Sequence, residues 1–141
     1  MRNFVDVYQG EGFVEASSPA VLRTSSLANC IGIVFYEPEI KTGHMIHTPS
    51  PEYFSVSDYL RRLQSKRSNI LAYAFGGAFQ GIPLIDEGVT HSRDHIEKTF
   101  QSIPKALQTI QWAKNGDMTD LEFDTNLGIY SVDYLPAYMS F

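Results

Sequence analysis

Three residues in the first third of the chain could do chemistry together: Thr24, Cys30 and His47. Cys30 is the single cysteine of the 141 residues; Thr24 stands six positions before it and His47 seventeen positions after it. A thiol becomes a strong nucleophile when a neighbouring base or cation stabilises its thiolate. An imidazole serves best as that base when a third polar group fixes its ring, and the hydroxyl of Thr24 could be that group. With such a pairing, Cys30 is expected to be partly accessible and to titrate below the ordinary thiol value. The competing reading is structural, because free cysteine is among the most buried residue types and packs as a small apolar side chain.

The elements needed to position these residues are legible around them. Ile31-Gly32-Ile33-Val34-Phe35-Tyr36 is an apolar run, Glu37-Pro38-Glu39 reads as a turn, and a second short run follows Lys41-Thr42-Gly43. That pattern predicts strand, reversal, strand. The start of the first strand and the latter part of the second then approach each other, which brings Cys30 towards His47. Val21-Leu22 begins a short strand that delivers Thr24. The two prolines of Thr48-Pro49-Ser50-Pro51 stiffen the exit from the hairpin.

The rest of the chain supplies a frame. Weak alternation over residues 3–16, broken by Gly10-Glu11-Gly12, predicts an opening hairpin. Residues 55–67 predict a helix capped by Ser55 or Ser57, with Val56, Tyr59, Leu60 and Leu63 buried and Arg61, Arg62, Lys66 and Arg67 as a solvated basic face. Residues 69–75 predict a buried strand ending in Gly76-Gly77, where glycine permits a tight turn or a backbone close to the site. Residues 81–84 predict a loop or short strand, and 92–103 a second helix capped by Ser92. Residues 107–113 alternate as a strand, and 121–123 with 129–132 flank a hairpin turn. The aromatic, apolar tail from Tyr134 to Phe141 is expected to cover a core edge. About eight short strands and two helices give an α+β class with helices on one side of strand layers.

Composition narrows the function. A chain of this length with 43% hydrophobic residues builds one domain with a real core. A net charge of −5 argues against a nucleic-acid surface. One cysteine excludes an internal disulfide and an all-cysteine metal site, and suits a reducing cytoplasm. The first residues lack a signal-peptide core, and no apolar run approaches the roughly 20 residues of a membrane helix. His91 and His95 have ligand-like spacing, but His91-Ser92-Arg93-Asp94-His95 lacks the HExxH pattern and no further ligand stands nearby in sequence. Both read as surface histidines, and no metal is expected.

The segment also resembles the CheD family of chemoreceptor glutamine deamidases. The residues that carry the likeness are Thr24, Cys30, Ile31 to Phe35, Tyr36-Glu37-Pro38, Gly43-His44-Met45-Ile46-His47 and Pro49. Ala74-Phe75-Gly76-Gly77-Ala78 is similar to the family's Gly-Gly-Ala after a strand. The likeness runs from about Val21 to Phe79 and is faint from there to Leu135. It departs at Ser25-Ser26-Leu27-Ala28-Asn29, where the family usually has glycines and a serine, and at His44, commonly a glycine. The family's late Gly-Gly and basic segment is present only as Asn115-Gly116-Asp117.

The resemblance implies a layered β/β/α sandwich as a single CheD-like domain over residues 1–141. It implies Cys30 as nucleophile, His47 as base and Thr24 as orienting hydroxyl. Asn29, His44, Gly76 and Gly77 are the candidates for substrate binding around them. The implied reaction is hydrolysis of a glutamine side chain on a protein partner to glutamate, in the cytoplasm, with no cofactor. A chemotaxis-type regulator is a candidate partner; nucleic acid and membrane insertion are not expected. Two other readings stay open. One is an inactive CheD-like module that docks on a signalling protein, which an inert buried Cys30 would favour; the other is a cysteine hydrolase acting on a small amide.

Overall fold

The computed structural model describes residues 3–136. Among them, nine strands and two helices follow in the order β1 (Phe4–Asp6), β2 (Val14–Ser17), β3 (Val21–Leu27), β4 (Ile31–Glu37), β5 (Thr42–Thr48), α1 (Val56–Gln64), β6 (Leu71–Gly76), α2 (Pro83–Phe100), β7 (Gln108–Trp112), β8 (Met118–Asp124) and β9 (Ile129–Leu135). A 3₁₀ turn at Lys105–Leu107 leads into β7. The strands form a four-stranded sheet, β1-β3-β8-β9, and a five-stranded sheet, β2-β5-β4-β6-β7. The architecture is a mixed α/β sandwich of two sheets and two helices.

The five-stranded sheet is the middle layer, and its sequence shows why. Every residue of β4 and of β5 is buried, as a strand covered on both faces demands. Ile31, Ile33 and Phe35 point to one face, where Ile46, Val56, Leu60, Ile96 and Phe100 complete a core with the helices. Val34 and Tyr36 point to the other, where Leu22, Leu27, Met45, Leu121 and Phe123 join the two sheets. Strict alternation in β8, with Thr119, Leu121 and Phe123 buried between half-exposed neighbours, marks the outer sheet, which has water on its far side. The helices bury Val56, Leu60 and Leu63 of α1 and Val89, Ser92, Ile96 and Phe100 of α2, at three- and four-residue spacing.

Four sequence expectations are corrected. Residues 3–16 are not a hairpin: β1 pairs parallel with β3, whereas β2 pairs antiparallel with β5 in the other sheet. Gly10 and Gly12, both at positive φ, carry the chain from one layer to the next. The second helix starts at Pro83, nine residues before Ser92. Its first two turns expose Leu84 and Ile85 and contain Gly88, so the apolar periodicity that marks a helix is missing there. Ser92 lies inside the helix and its hydroxyl donates to the Pro49 carbonyl at 3.0 Å. Ser55 occupies the N-cap of α1 but in a left-handed conformation without a side-chain cap bond.

The basic face of α1 is also not wholly solvated. Arg61 pairs with Asp58 and Arg62 lies over the Tyr59 ring, but Arg67 turns to the buried Glu37, Nε to Oε2 at 2.9 Å. Of the tail, Tyr134 and Leu135 end β9 about half exposed; the remainder from residue 137 lies outside the described residues.

Phe35 is fully buried between Phe13, Tyr59 and Phe100. Its replacement by alanine should cost about 3–5 kcal/mol. Leu84→Ala, at a position 83% exposed, should change stability by no more than about 0.5 kcal/mol. Urea unfolding of both variants checks the pair.

Candidate active site

The hairpin of β4 and β5 sets the register of the site. Gly32 stands opposite His47 and Ile31 opposite Thr48. Cys30 shares the face of Gly32, which is also the face of His47, and its sulfur joins the core between the sheets. Cys30 immediately precedes β4, so the alternation of that strand, extended by one residue, gives it the same face as Gly32 and His47. Thr24 arrives from β3 in the opposite sheet and closes on the ring: its Oγ1 lies 2.8 Å from His47 Nδ1.

That contact decides the tautomer of His47. The Thr24 hydroxyl has one proton, and it donates to the main-chain carbonyl of Val7 at 2.7 Å. It can then only accept from the ring, so Nδ1 carries the hydrogen and Nε2 keeps its lone pair. Nε2 has no hydrogen-bond partner among the described residues. His47 is thus held as a base with one nitrogen anchored and the other free, although the residue is only 7% exposed. Val7 was not visible as a site residue in sequence, since it acts through a carbonyl that every residue possesses.

The Cys30 corner is held by backbone contacts. The N–H of Gly77 donates to the Cys30 carbonyl at 2.8 Å, and that of Ala78 to the Ala28 carbonyl at 2.8 Å. Gly76 adopts φ +85°, and a Cβ there would sit 2.7 Å from the Cys30 carbonyl oxygen, so glycine is required both by conformation and by space. Arg93 on α2 fastens the corner from behind: Nε and Nη2 donate to the Gly77 carbonyl at 2.8 and 2.6 Å, and its guanidinium lies over the Phe79 and Trp112 rings. Arg93 reads in sequence as one more helix-surface cation, which hid this role.

The substrate-binding candidates separate. Gly76 and Gly77 lie against the Cys30 backbone and shape it, with the Gly77 N–H already engaged. Asn29 sits half-buried in the β3–β4 loop beside Cys30. His44 belongs elsewhere: on β5 it pairs with Phe35 and points to the helical face, opposite to His47. Its Nε2 lies 2.6 Å from Glu37 Oε1 and its Nδ1 2.7 Å from the Tyr59 hydroxyl. Being three residues from His47 on a period-two strand, it could not share that face.

Glu15, Glu37 and His44 bring possible ligand atoms within 4.8 Å of one another. Arg67 already offsets the charge of Glu37 and Tyr59 occupies His44 Nδ1, so the set is satisfied without a cation. His91 and His95 both meet Glu52, at 2.9 and 3.4 Å. His95 is not a surface residue: its side chain is 21% exposed and its Nε2 is buried without a partner.

Burial governs the charge state of the pair. It pushes the Cys30 thiol up to about 11 and holds His47 below its usual 6.5. Both shifts favour the neutral forms, thiol and imidazole. Cys30 is 6% exposed and makes no hydrogen bond to His47 among the described residues, so the expected accessible, low-pKa thiol is not found.

A cleft of about 550 Å³ opens where β1 ends and the chain leaves the outer sheet. Thr24, Ser25 and His47 line it with Val7, Tyr8 and Gln9 on one wall. Cys30, 6% exposed, is not among the residues that line it. Beside it, β3 bulges between Thr24 and Leu27, with Ser26 at φ 60°, an uncommon conformation for a residue with a side chain.

No family model matches the chain. Among curated proteins, it is 27% identical over 88 residues to a probable chemoreceptor glutamine deamidase CheD of Archaeoglobus fulgidus, covering 52% of this chain and 56% of that protein. It is 47% identical over 36 residues to a probable chemoreceptor glutamine deamidase CheD 2 of Geobacter metallireducens, covering 26% of this chain and 22% of that protein. The matched stretch thus spans about half of one relative and about a fifth of the other.

Two outcomes follow from this geometry. Nitrogen-15 NMR of the histidines should show His47 protonated at Nδ1 at neutral pH, and Thr24→Val should shift it towards the Nε2–H form; an Nε2–H signature in the unaltered protein would contradict the Thr24–Val7 relay. The lowered His47 value also sets a pH dependence. Between the folded and unfolded values the unfolded chain binds more protons, so this contribution is complete above pH 6.5 and declines as pH falls below it. Melting temperatures from pH 7.5 down to 5 should fall less steeply in His47→Gln than in the unaltered protein.

Proposed function

Taking the chain as CheD-like, which both relatives support, we propose that it hydrolyses the side-chain amide of a protein glutamine to glutamate. The observation that carries this reading is the Thr24–His47 contact, which leaves an oriented lone pair facing the cleft, on the same face as the only thiol. In this reading substrate binding at His47 also uncovers the thiol, which does not line the cleft in the free protein, and presents the amide carbon to Cys30. The sulfur attacks as His47 Nε2 takes the thiol proton. The tetrahedral oxyanion is stabilised by main-chain N–H groups beside Cys30. His47 then gives its proton to the nitrogen, the C–N bond breaks, ammonia leaves and a thioester remains. Water activated by His47 adds to the thioester, releasing glutamate and restoring the thiol. No metal or organic cofactor enters these steps.

The partner in this reading is a protein bearing an accessible glutamine, and a chemotaxis-type regulator remains a candidate. No described helix is long and apolar enough to cross a membrane. A second reading, a CheD-like module that docks without turnover, draws on the burial of Cys30. The fixed tautomer of His47 argues against it, since docking alone needs no oriented base.

Incubation with host lysate, with Cys30→Ser as control, should yield new Gln-to-Glu sites by mass spectrometry only with the unaltered protein; identical maps would end the deamidase reading. On an identified substrate, Thr24→Val should lower kcat by roughly 10²–10³-fold, since it loosens a general base, while lowering stability by only about 1–3 kcal/mol for the buried groups it leaves unpaired, so the protein still folds.

The pH profile of kcat/KM should retain activity below pH 6.5 and fall only as His47 takes up its proton. Free Cys30 should alkylate with iodoacetamide slowly at pH 6.5 and progressively faster towards pH 11. Alkylation faster than that of a model thiol at pH 6.5 would show a standing thiolate instead.

A further inference from the structure

The chemistry just described uses His47 and Thr24 from one end of the cleft. The remaining wall is the outer face of the four-stranded sheet, and its charges are unbalanced. Asp6 from β1, Asp120 and Glu122 from β8 and Asp133 from β9 all line the cleft, against Arg23 as its one cation among the described residues. Arg23 is already engaged: its Nε lies 2.5 Å from Asp6 Oδ1, and it stands opposite Glu122 in the sheet.

Two features set these carboxylates apart from ordinary solubilising charge. Asp120 and Asp133 are direct cross-strand partners, a like-charge pairing that destabilises a sheet. Asp120 also accepts the N–H of Ser26 at 2.9 Å, which ties it to the bulge that follows Thr24. The acidic wall is therefore coupled to the strand that orients the base. Independently of the carboxylates, the same cleft holds an unpartnered nitrogen of a residue more than nine-tenths buried, His47 Nε2. A ring nitrogen that opens into a cleft from an otherwise buried side chain, with no protein partner among the described residues, offers a contact that a ligand can complete.

We propose that this wall selects the substrate: the target glutamine lies in a segment carrying lysine or arginine, whose cations dock on Asp120, Asp133 and Glu122 while the glutamine side chain reaches His47. The proposal rests on the deamidase reading for the chemistry but on charge and geometry for the docking. Each cation placed opposite Asp120 and Asp133 also relieves their mutual repulsion, so the pair is least stable when the cleft is empty. Segments rich in glutamate are repelled by the same wall.

The test separates docking from turnover. Three fluorescent peptides of equal length would carry one central glutamine flanked by lysine and arginine, by alanine and serine, or by glutamate. Their binding to the Cys30→Ala protein is read by anisotropy, and ammonia release is read with the unaltered protein. The basic peptide should bind about tenfold more tightly than the neutral one in low salt, an advantage that shrinks towards unity as screening shortens in roughly 0.5 M NaCl. Asp133→Asn and Asp120→Asn should each weaken it by roughly two- to fivefold, and Asp133→Lys should abolish the preference. Asp133 is exposed and its variants relieve the repulsion with Asp120, so they should melt no lower than the unaltered protein, and Asp120→Asn retains an oxygen for Ser26.

A basic peptide that binds no more tightly than the neutral one, or not at all, overturns the docking proposal. So does a preference that survives Asp133→Lys. Neutral peptide turned over as fast as basic peptide would overturn docking and leave the deamidase reading standing. Salt-sensitive binding of the basic peptide without ammonia release would uphold docking and remove the deamidase reading.

Discussion

The hairpin of β4 and β5 is covered on both faces, and this double burial constrains everything around it. One face meets the helices through Ile33, Phe35 and Ile46; the other meets the outer sheet through Val34, Tyr36 and Met45. Nothing on these strands can be polar without a partner. His44 and Glu37 satisfy each other on the helical side. His47 satisfies one nitrogen with Thr24 on the other side and retains one without a partner. That nitrogen opens into the cleft, so water rather than protein can meet it, and it is where chemistry is expected.

Burial also decides how the candidate dyad would operate. An exposed thiol beside an imidazole gains from charge separation, but here removal of water disfavours both charged forms: thiolate is pushed up and imidazolium pushed down. Desolvation is the cause of both shifts. The Thr24–Val7 relay then has a clear purpose. With no imidazolium to attract the sulfur, the orientation of a neutral ring depends on a hydrogen bond whose donor and acceptor are fixed, and the Val7 carbonyl supplies that direction.

The two sheets divide the labour. The inner sheet holds the reactive side chains against a packed core, with Gly76 pressed on the Cys30 carbonyl and Arg93 bracing the corner. The outer sheet supplies Thr24 from its inward face and the carboxylates from its outward face. Because successive residues of β3 alternate between these faces, Thr24 reaches the base while Arg23 and Ser25 line the entrance. In the proposed reading, one strand thereby links recognition to catalysis through its pleat alone.

Much of this was readable along the chain, and for a definite reason. Alternation and unbroken apolar runs reflect how many faces of a strand are covered, so β4, β6, β8 and β9 could be placed from neighbouring residues. The hairpin put Cys30 and His47 on one face, because strand parity is a local property. The same parity should have excluded His44 from the site; its motif position outweighed that rule. Pairing between distant segments left no local trace. Nothing in residues 3–16 distinguishes a hairpin from two strands sent to different sheets, because both bury alternate residues. The early start of α2 was hidden because its first turns face water. The Val7 carbonyl, the Arg93 brace and the convergence of Asp6, Asp120, Glu122 and Asp133 depend on contacts across layers. The residue types at the site were therefore set by sequence, whereas the tautomer of the base, the neutrality of the thiol and the charge of the entrance were set only when the outer sheet closed over the inner one and excluded water.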